Sequence, residues 1–509
     1  MKTIIANLLF TLTATTLNFG NAYVSNANSN STNSIYFIGD LHGDMECARH
    51  WVTQTNLIDL TTTPFTWKGS NCISDGDDVS QACNNEQIVF MGDYVDKGTQ
   101  SRGVLEFIRK LHATFPRNII PLLGNHDFYM LLDATLEAEF AKQHHPMGQF
   151  VHEFTYAFAH PEEYTTAGWS EERKDDVAIL QALHGALQSV YTRGLHGNTF
   201  MCGSEPSKSS CRISNSRQNV DLFANSAAYF FLDNHHNHGS KKEVENTSTV
   251  SPDEVRTRLS TWREDYSKGL LESGLLHWLS QLPVIATVGD ALVVHGGLSS
   301  YVLDYLAKHA ASNDIAISEV LNDLVHVPFH KFWDSILDPK SNATISGPNV
   351  VDKIPQDVLT AIDLMGDIVT YRGYFKQDGA REVQYILDVF NNDNGGAEKQ
   401  FTATKNRIVV GHTPHQFATE FYDGKLLAND SSLSRTFRAF GNLYCPVRDS
   451  VRKLNIKEQS GCARRHSDVC EGSISHLHRT SNSDAWPEHV VHIHSQQKRH
   501  IEDARKEEL

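Results

Sequence analysis

Past its first two dozen residues the chain has no long apolar run. The best later candidate, Leu282 to Leu298, is broken by Gly289, Asp290 and His295, so no bilayer-spanning segment is expected. Positive charge is also in deficit. The 45 Lys and Arg face 61 Asp and Glu, for a formal net charge of −16. That balance argues against nucleic acid or an anionic membrane as the main partner, since both reward a basic surface. It leaves a phosphorylated substrate open, because metal ions can supply positive charge locally. There is no internal repeat. Cysteines number only eight, an even count that fits an oxidising compartment.

What is present describes an ordinary globular protein: 509 residues, 40% hydrophobic and 21% charged. The length allows a large core and two or three domains. The N-terminus has the form of a secretory signal peptide over residues 1–22. Lys2 opens it, Ile4 to Leu17 is mostly apolar, and Gly20 and Ala22 suit a cut after Ala22; a cut after Ala27 is nearly as good. The last four residues, Lys506-Glu507-Glu508-Leu509, resemble the Lys-Asp-Glu-Leu address. Together these imply the secretory pathway and the endoplasmic reticulum lumen, with secretion as the alternative. Cys72 with Cys83, Cys202 with Cys211 and Cys462 with Cys470 each bracket a short loop that a local disulfide would close. That leaves Cys47, read as a buried thiol, and Cys445. Sequons at Asn30, Asn246, Asn342 and Asn429 would carry glycan only where exposed.

The informative stretches are the ends of apolar runs. Ile35 to Ile38 ends in Gly39-Asp40-Leu41-His42-Gly43-Asp44. Gln87 to Phe90 leads to Gly92-Asp93-Tyr94-Val95-Asp96-Lys97-Gly98, and Asn118 to Leu123 to Gly124-Asn125-His126-Asp127. Val284 to Val294 reads as a hairpin through Gly289-Asp290 and ends at His295-Gly296-Gly297. Ile408 to Val410 precedes Gly411-His412-Thr413-Pro414. One such strand end is turn chemistry. Five in one chain, each offering Asp, Asn or His on backbone that glycine lets fold tightly, point to a shared metal centre.

Two metals close together need a bridging carboxylate and mixed nitrogen and oxygen ligands, and Asp93 is the natural bridge. Asp40 and His42 would complete one metal; Asn125, His295 and His412 the other. Such ligands suit Mn, Fe or Zn alike. Between these blocks, Met45 to Thr55 and Ser101 to Phe115 have helical spacing, so strand–helix–strand units and a parallel sheet component are expected. Thr61 to Asn85 reads as an inserted loop. Residues 128 to 280 read as helical and loop insertions, with Met130 to Lys142, Asp175 to Tyr191 and Val255 to Leu279 helical. Trp262, Leu270, Leu271, Leu275 and Trp278 are core candidates there, and the His235, His236, His238 loop reads as solvated. Phe421 to Leu426 carries the Asp-Gly of a hairpin. Residues 446–509 read as a polar, His-rich tail.

GDLHGD, GDYVDKG, GNHD, VHGGL and GHTP, in this order, resemble the signature blocks of calcineurin-like metallophosphoesterases. With Tyr371-Arg372-Gly373 they are most similar to the Shewanella-like branch of the phosphoprotein phosphatases. The resemblance covers residues 35–445, outside the insertions. It implies an α/β fold, a sandwich of two mixed β-sheets flanked by helices, with two metals at the strand ends. It implies that a metal-activated water attacks phosphorus, that His126 is the general acid oriented by Asp96, and that Arg372 grips the phosphate. The chain departs from the family pattern at Lys97, where arginine is usual and a lysine offers charge without a fork, and at Asp127, where many relatives have glutamate. Asp430 matches a family acidic position only loosely and is left out of the site. The implied activity is a phosphomonoesterase acting on phosphoprotein or a small phosphomonoester. The same core also serves phosphodiesterases and nucleotide hydrolases, and a catalytically inactive binding protein of the secretory pathway is the third reading.

Overall fold

Strand residues alternate sides, and two sheets that each bury one face against the other should share an apolar layer of alternate positions. The computed structural model shows that layer. It describes residues 33–69, 86–96, 98, 100–135, 266, 268–337, 354–392, 404–435, 443–447, 450–454, 469–479 and 490–494. The signal peptide, the C-terminal tetrapeptide, the insertion residues between 136 and 265, and Lys97 lie outside these residues.

In chain order, β1 (Asn33–Ile38), α1 (Met45–Gln54), β2 (Ile58–Asp59), β3 (Thr66–Trp67), β4 (Glu86–Phe90), α2 (Ser101–Thr114), β5 (Ile119–Pro121) and α3 (Asn125–Thr135) form the first half. The second half continues with α4 (Leu275–Ser280), β6 (Ile285–Val288), β7 (Ala291–Val294), α5 (Ser300–Asn313) and α6 (Ile317–Leu321). A π-helical turn (Asn322–His326) leads into α7 (Val327–Leu337), then α8 (Gln356–Thr370), a 3-10 turn (Gly373–Phe375) and α9 (Gly379–Asn392). The strands β8 (Arg407–Val410), β9 (Thr419–Phe421), β10 (Leu426–Ala428), β11 (Leu443–Val447), β12 (Ser450–Leu454), β13 (Ser473–Arg479) and β14 (Val491–His494) follow.

One sheet has the order β14-β13-β1-β4-β5 and the other β6-β7-β8-β10-β9. Both are mixed: β1, β4 and β5 run parallel while β13 is antiparallel to β1; β7, β8 and β10 run parallel while β6 and β9 are antiparallel. Ile35, Phe37, Val89, Met91, Val293, Val409, Leu427 and Leu477 pack between the sheets. The alternate set, including Ile38, Ile88, Phe90, Leu292, Val294, Ile408 and Val410, packs outward in one cluster with residues of the helices. This is the expected α/β sandwich. Helix α2 buries Val104, Leu105, Ile108 and Leu111, as its spacing predicts, and Asp44 caps α1 by accepting the Cys47 N–H at 3.2 Å.

Four expectations are corrected. Helix α3 begins at Asn125, not Met130, so the Asn-His-Asp block is its first turn. Leu271 is exposed while Leu270 and Leu275 are buried and Trp278 is half-buried; Trp262 lies outside the described residues. The stretch past 446 is not simply a tail, because β13 pairs with β1 along Asn33 to Phe37 and makes it an interior strand. Nor is Cys47 a thiol or Cys470 a partner of Cys462: Cys47 is bonded to Cys470, across 423 residues. The sequon at Asn429 is fully buried; its Nδ2 donates to the Phe37 carbonyl at 2.9 Å, so glycan has no room there. The other three sequons lie outside the described residues.

Candidate active site

The carboxyl ends of β1, β4, β5, β7 and β8 carry the blocks singled out above, and the sandwich brings them to one place. Gly92 and Gly124 let two of these turns touch. A Cβ on Gly92 would lie 2.5 Å from the Gly124 backbone, and one on Gly124 would lie 2.1 Å from the Asp93 nitrogen. Asp93 sits at the first turn of α3 and accepts the His126 backbone N–H at 2.9 Å, the favourable place for a carboxylate. Asp127 holds this turn from behind. Its carboxylate accepts N–H bonds from Asp93 at 2.7 Å, Tyr94 at 2.9 Å and Gly124 at 3.1 Å. Burial, reinforced by the Asp93 charge, pushes its carboxyl up to about 7.

Around Asp93 stand His42, with Nε2 3.7 Å from Oδ2, and His295, with Nε2 3.3 Å from Oδ1. Asn125 Oδ1 lies 3.0 Å from His295 Nε2 and 2.7 Å from His412 Nδ1. The Asp40 carboxylate takes the His412 backbone N–H at 3.2 Å. Each of these three imidazoles donates its other ring N–H to a backbone carbonyl. His42 Nδ1 donates to Val95 at 2.9 Å, His295 Nδ1 to Met91 at 2.6 Å and His412 Nε2 to Thr370 at 3.1 Å. A neutral ring fixed in this way turns a lone pair inward, where it meets carboxylate and amide oxygens. Lone pairs converging on lone pairs repel unless a cation sits among them, so the donor set fits divalent metal. Among the described residues, two overlapping groups have the spacing to hold an ion: His42, Asp93 and His126, and Asp93, His295 and His412. They share Asp93.

Electrostatics follow the same geometry. Burial alone would raise the Asp93 carboxyl, but His295, His126 and His42 outweigh it and hold it well below the usual range. Burial lowers the His295 imidazole, yet the Asp93 charge beside it leaves it above its ordinary value. His412, buried and facing the charges of Arg372 and His295, is held well below.

His126 differs from the other three rings. Its Nδ1 donates to a carboxylate, Asp96 Oδ2, at 2.7 Å. Its side chain is 24% exposed, and its Nε2 lies 3.9 Å from Asp93 Oδ2. Arg372 follows α8 and donates from Nη2 to the His412 carbonyl at 3.0 Å. Asp430 is buried, with Oδ1 accepting the Ser432 N–H at 2.9 Å. Thus Asp40, His42, Asp93, Asp96, Asn125, His126, His295, His412 and Arg372 gather in one site. The carbonyls of Val95, Met91 and Thr370 were not anticipated, because a backbone acceptor leaves no mark in the residue type.

A family model for calcineurin-like phosphoesterases matches residues 34–197. Over those residues the chain is similar to calcineurin-like phosphoesterases. The matched stretch holds Asp40, His42, Asp93, Asp96, Asn125 and His126; His295, Arg372 and His412 join the same cluster from beyond it. No curated protein matches the chain. Among solved structures it is similar to a cold-active protein-tyrosine phosphatase of a psychrophilic Shewanella species. That likeness has 15% identity and a TM-score of 0.34, over 83% of this chain and 80% of that one. It is also similar to a serine/threonine phosphatase of Saccharomyces cerevisiae, at 11% identity and a TM-score of 0.32, over 92% of this chain and 81% of that one.

Proposed function

We propose that the protein is a metal-dependent phosphomonoesterase acting on phosphoprotein, with His126 as general acid. The observation that carries the reading is the contrast among the four imidazoles. His42, His295 and His412 each donate to a neutral carbonyl, which fixes the tautomer so that the other ring nitrogen faces the site and suits a metal. His126 donates to the Asp96 carboxylate, which stabilises a second proton on the ring and orients it. Its partial exposure suits a group that delivers that proton to a leaving oxygen.

Asp40, His42 and Asp93 would hold one cation, and Asp93, Asn125, His295 and His412 a second, with Mn, Fe and Zn all compatible. When bound, the metals supply Lewis acidity toward water and the phosphate oxygens. Arg372 grips the phosphate; its bond to the His412 carbonyl supports this by fixing the guanidinium beside the metal ligands. Lys97, which follows Asp96 in the sequence, is proposed only as added positive charge for phosphate binding.

The test is a panel of a phosphoserine peptide, p-nitrophenyl phosphate and bis(p-nitrophenyl) phosphate, with metal content measured before and after chelation. Monoester turnover above diester turnover, lost on chelation and restored by manganese, is expected. Preference for the diester would favour a phosphodiesterase. No turnover of any ester at full metal content would favour a binding protein.

A further inference from the structure

Arg372 sits on a step of two residues between α8 and the 3-10 turn, with His412 on one side. The residue before it is anchored far more firmly than a helix end requires. The Tyr371 hydroxyl donates to one oxygen of Glu382, on α9. The other Glu382 oxygen accepts the Ser300 N–H at 3.0 Å, at the start of α5 and five residues past His295. Tyr374 repeats the link one turn on: its hydroxyl accepts the Leu298 N–H at 2.7 Å and donates to the Leu298 carbonyl at 3.0 Å. The two tyrosine rings pack edge to face, 5.2 Å between centroids. Glycine makes the approach possible. A Cβ on Gly297 would lie 2.8 Å from the Tyr371 ring, and one on Gly373 would overlap the Tyr371 hydroxyl.

We propose that Glu382 is a positioning residue for phosphate binding: through Tyr371 and Ser300 it braces the Arg372 loop against the loop that carries His295. The inference rests on the reading of Arg372 as the phosphate grip. A carboxylate accepting two hydrogen bonds from two loops is a stronger and more directional tie than neutral contacts. Burial and the Glu382 charge hold the Tyr371 phenol above its ordinary value, so it remains a donor wherever the protein is folded. A guanidinium fork is useful only in register with the oxygens it meets, and small misplacements at a site cost binding. Glu382 itself touches neither metal ligand nor substrate in this account.

The experiment uses the full chain loaded with manganese. Calorimetry measures inorganic phosphate affinity, and p-nitrophenyl phosphate gives KM and kcat, for wild type, Glu382→Ala, Glu382→Gln, Arg372→Ala and the double variant. Glu382→Ala should weaken phosphate binding about five- to tenfold and raise KM in step, with manganese content unchanged and kcat within about twofold. Glu382→Gln, which can still bridge both loops, should recover most of the loss. The double variant should bind phosphate no more weakly than Arg372→Ala alone, since both act on one interaction. Unchanged affinity in Glu382→Ala, a loss that adds to that of Arg372→Ala, or wild-type affinity in Arg372→Ala would each overturn the proposal. If Glu382→Ala does not fold, Tyr371→Phe keeps the ring packing and carries the same comparison. A wild type that binds phosphate but hydrolyses no ester would refute the proposed function and leave this comparison intact.

Discussion

His42, Asp93, Asp96 and His412 all hold left-handed backbone, with φ of +41°, +55°, +71° and +62°. Such conformations cost roughly 1 kcal/mol or more each for residues other than glycine, and they persist where the surroundings over-determine them. Here the surroundings are the carbonyl and amide contacts that aim each side chain inward. The residue types that converge at the site were legible in the sequence, because carboxylates and imidazoles beside glycine advertise their chemistry. The tautomers were not, since Val95, Met91 and Thr370 act through backbone atoms. Asp93→Asn is the sharpest residue-scale change. Asparagine tolerates left-handed backbone as well as aspartate does, so the fold should survive. It removes the charge that both metal groups share. Metal content should fall well below wild type and ester turnover should disappear; two metals retained with normal turnover would rule out Asp93 as the bridge.

At the scale of elements, the π-helical turn and α7 carry a liability of their own. His326 and His330 stack in parallel, 5.7 Å apart. Burial lowers His326 to about 3, helped by the His330 charge, and its Nε2 accepts the Val284 N–H at 3.4 Å, which a protonated ring could not do. Burial lowers His330 to about 4, partly offset by Asp334. Both rings take up protons near pH 6.5 in the unfolded chain but only at these lower values when folded, so the unfolded state binds more protons between them. Stability is therefore complete above about pH 6.5 and falls as pH drops toward 4, by on the order of 1 kcal/mol per pH unit for each ring. Urea midpoints at pH 7.5 and pH 5 should show the loss, and His330→Asn should reduce it. Equal pH dependence in wild type and variant would contradict this.

Strand β13 shows why one element escaped the sequence reading. Two of its inward residues are serines: Ser473 Oγ accepts the Ala418 N–H at 2.9 Å and Ser475 Oγ donates to Asn429 Oδ1 at 2.6 Å. A strand that buries hydroxyls instead of hydrocarbons has no apolar alternation to read. The hairpin around Asp423-Gly424 was legible from its turn residues, and the runs before the ligand blocks because continuous apolar stretches such as Ile408 to Val410 are the buried strands.

For the whole molecule, the site exists only when segments from Asp40 to His412 meet, and the sandwich is what makes them meet. The Cys47–Cys470 bond joins the helix after the first ligand block to the segment entering β13, closing a loop of most of the chain. In the chain-entropy model, removing the entropy of so long a loop is worth roughly 6 kcal/mol to the folded state. Long-range pairing of this kind was not legible, since local spacing favours neighbours, and the nearest cysteine to Cys470 in sequence is Cys462.

The most direct test of the account is turnover of a phosphoserine peptide and of p-nitrophenyl phosphate by wild type and His126→Asn, with metal content measured on the same samples. A general acid is worth about a hundred- to ten-thousand-fold where the leaving oxygen needs a proton. A loss of that order is expected on phosphoserine, with a much smaller loss on p-nitrophenyl phosphate and unchanged metal content. Equal losses on both substrates at full metal content, or loss of a metal with the ring, would contradict it.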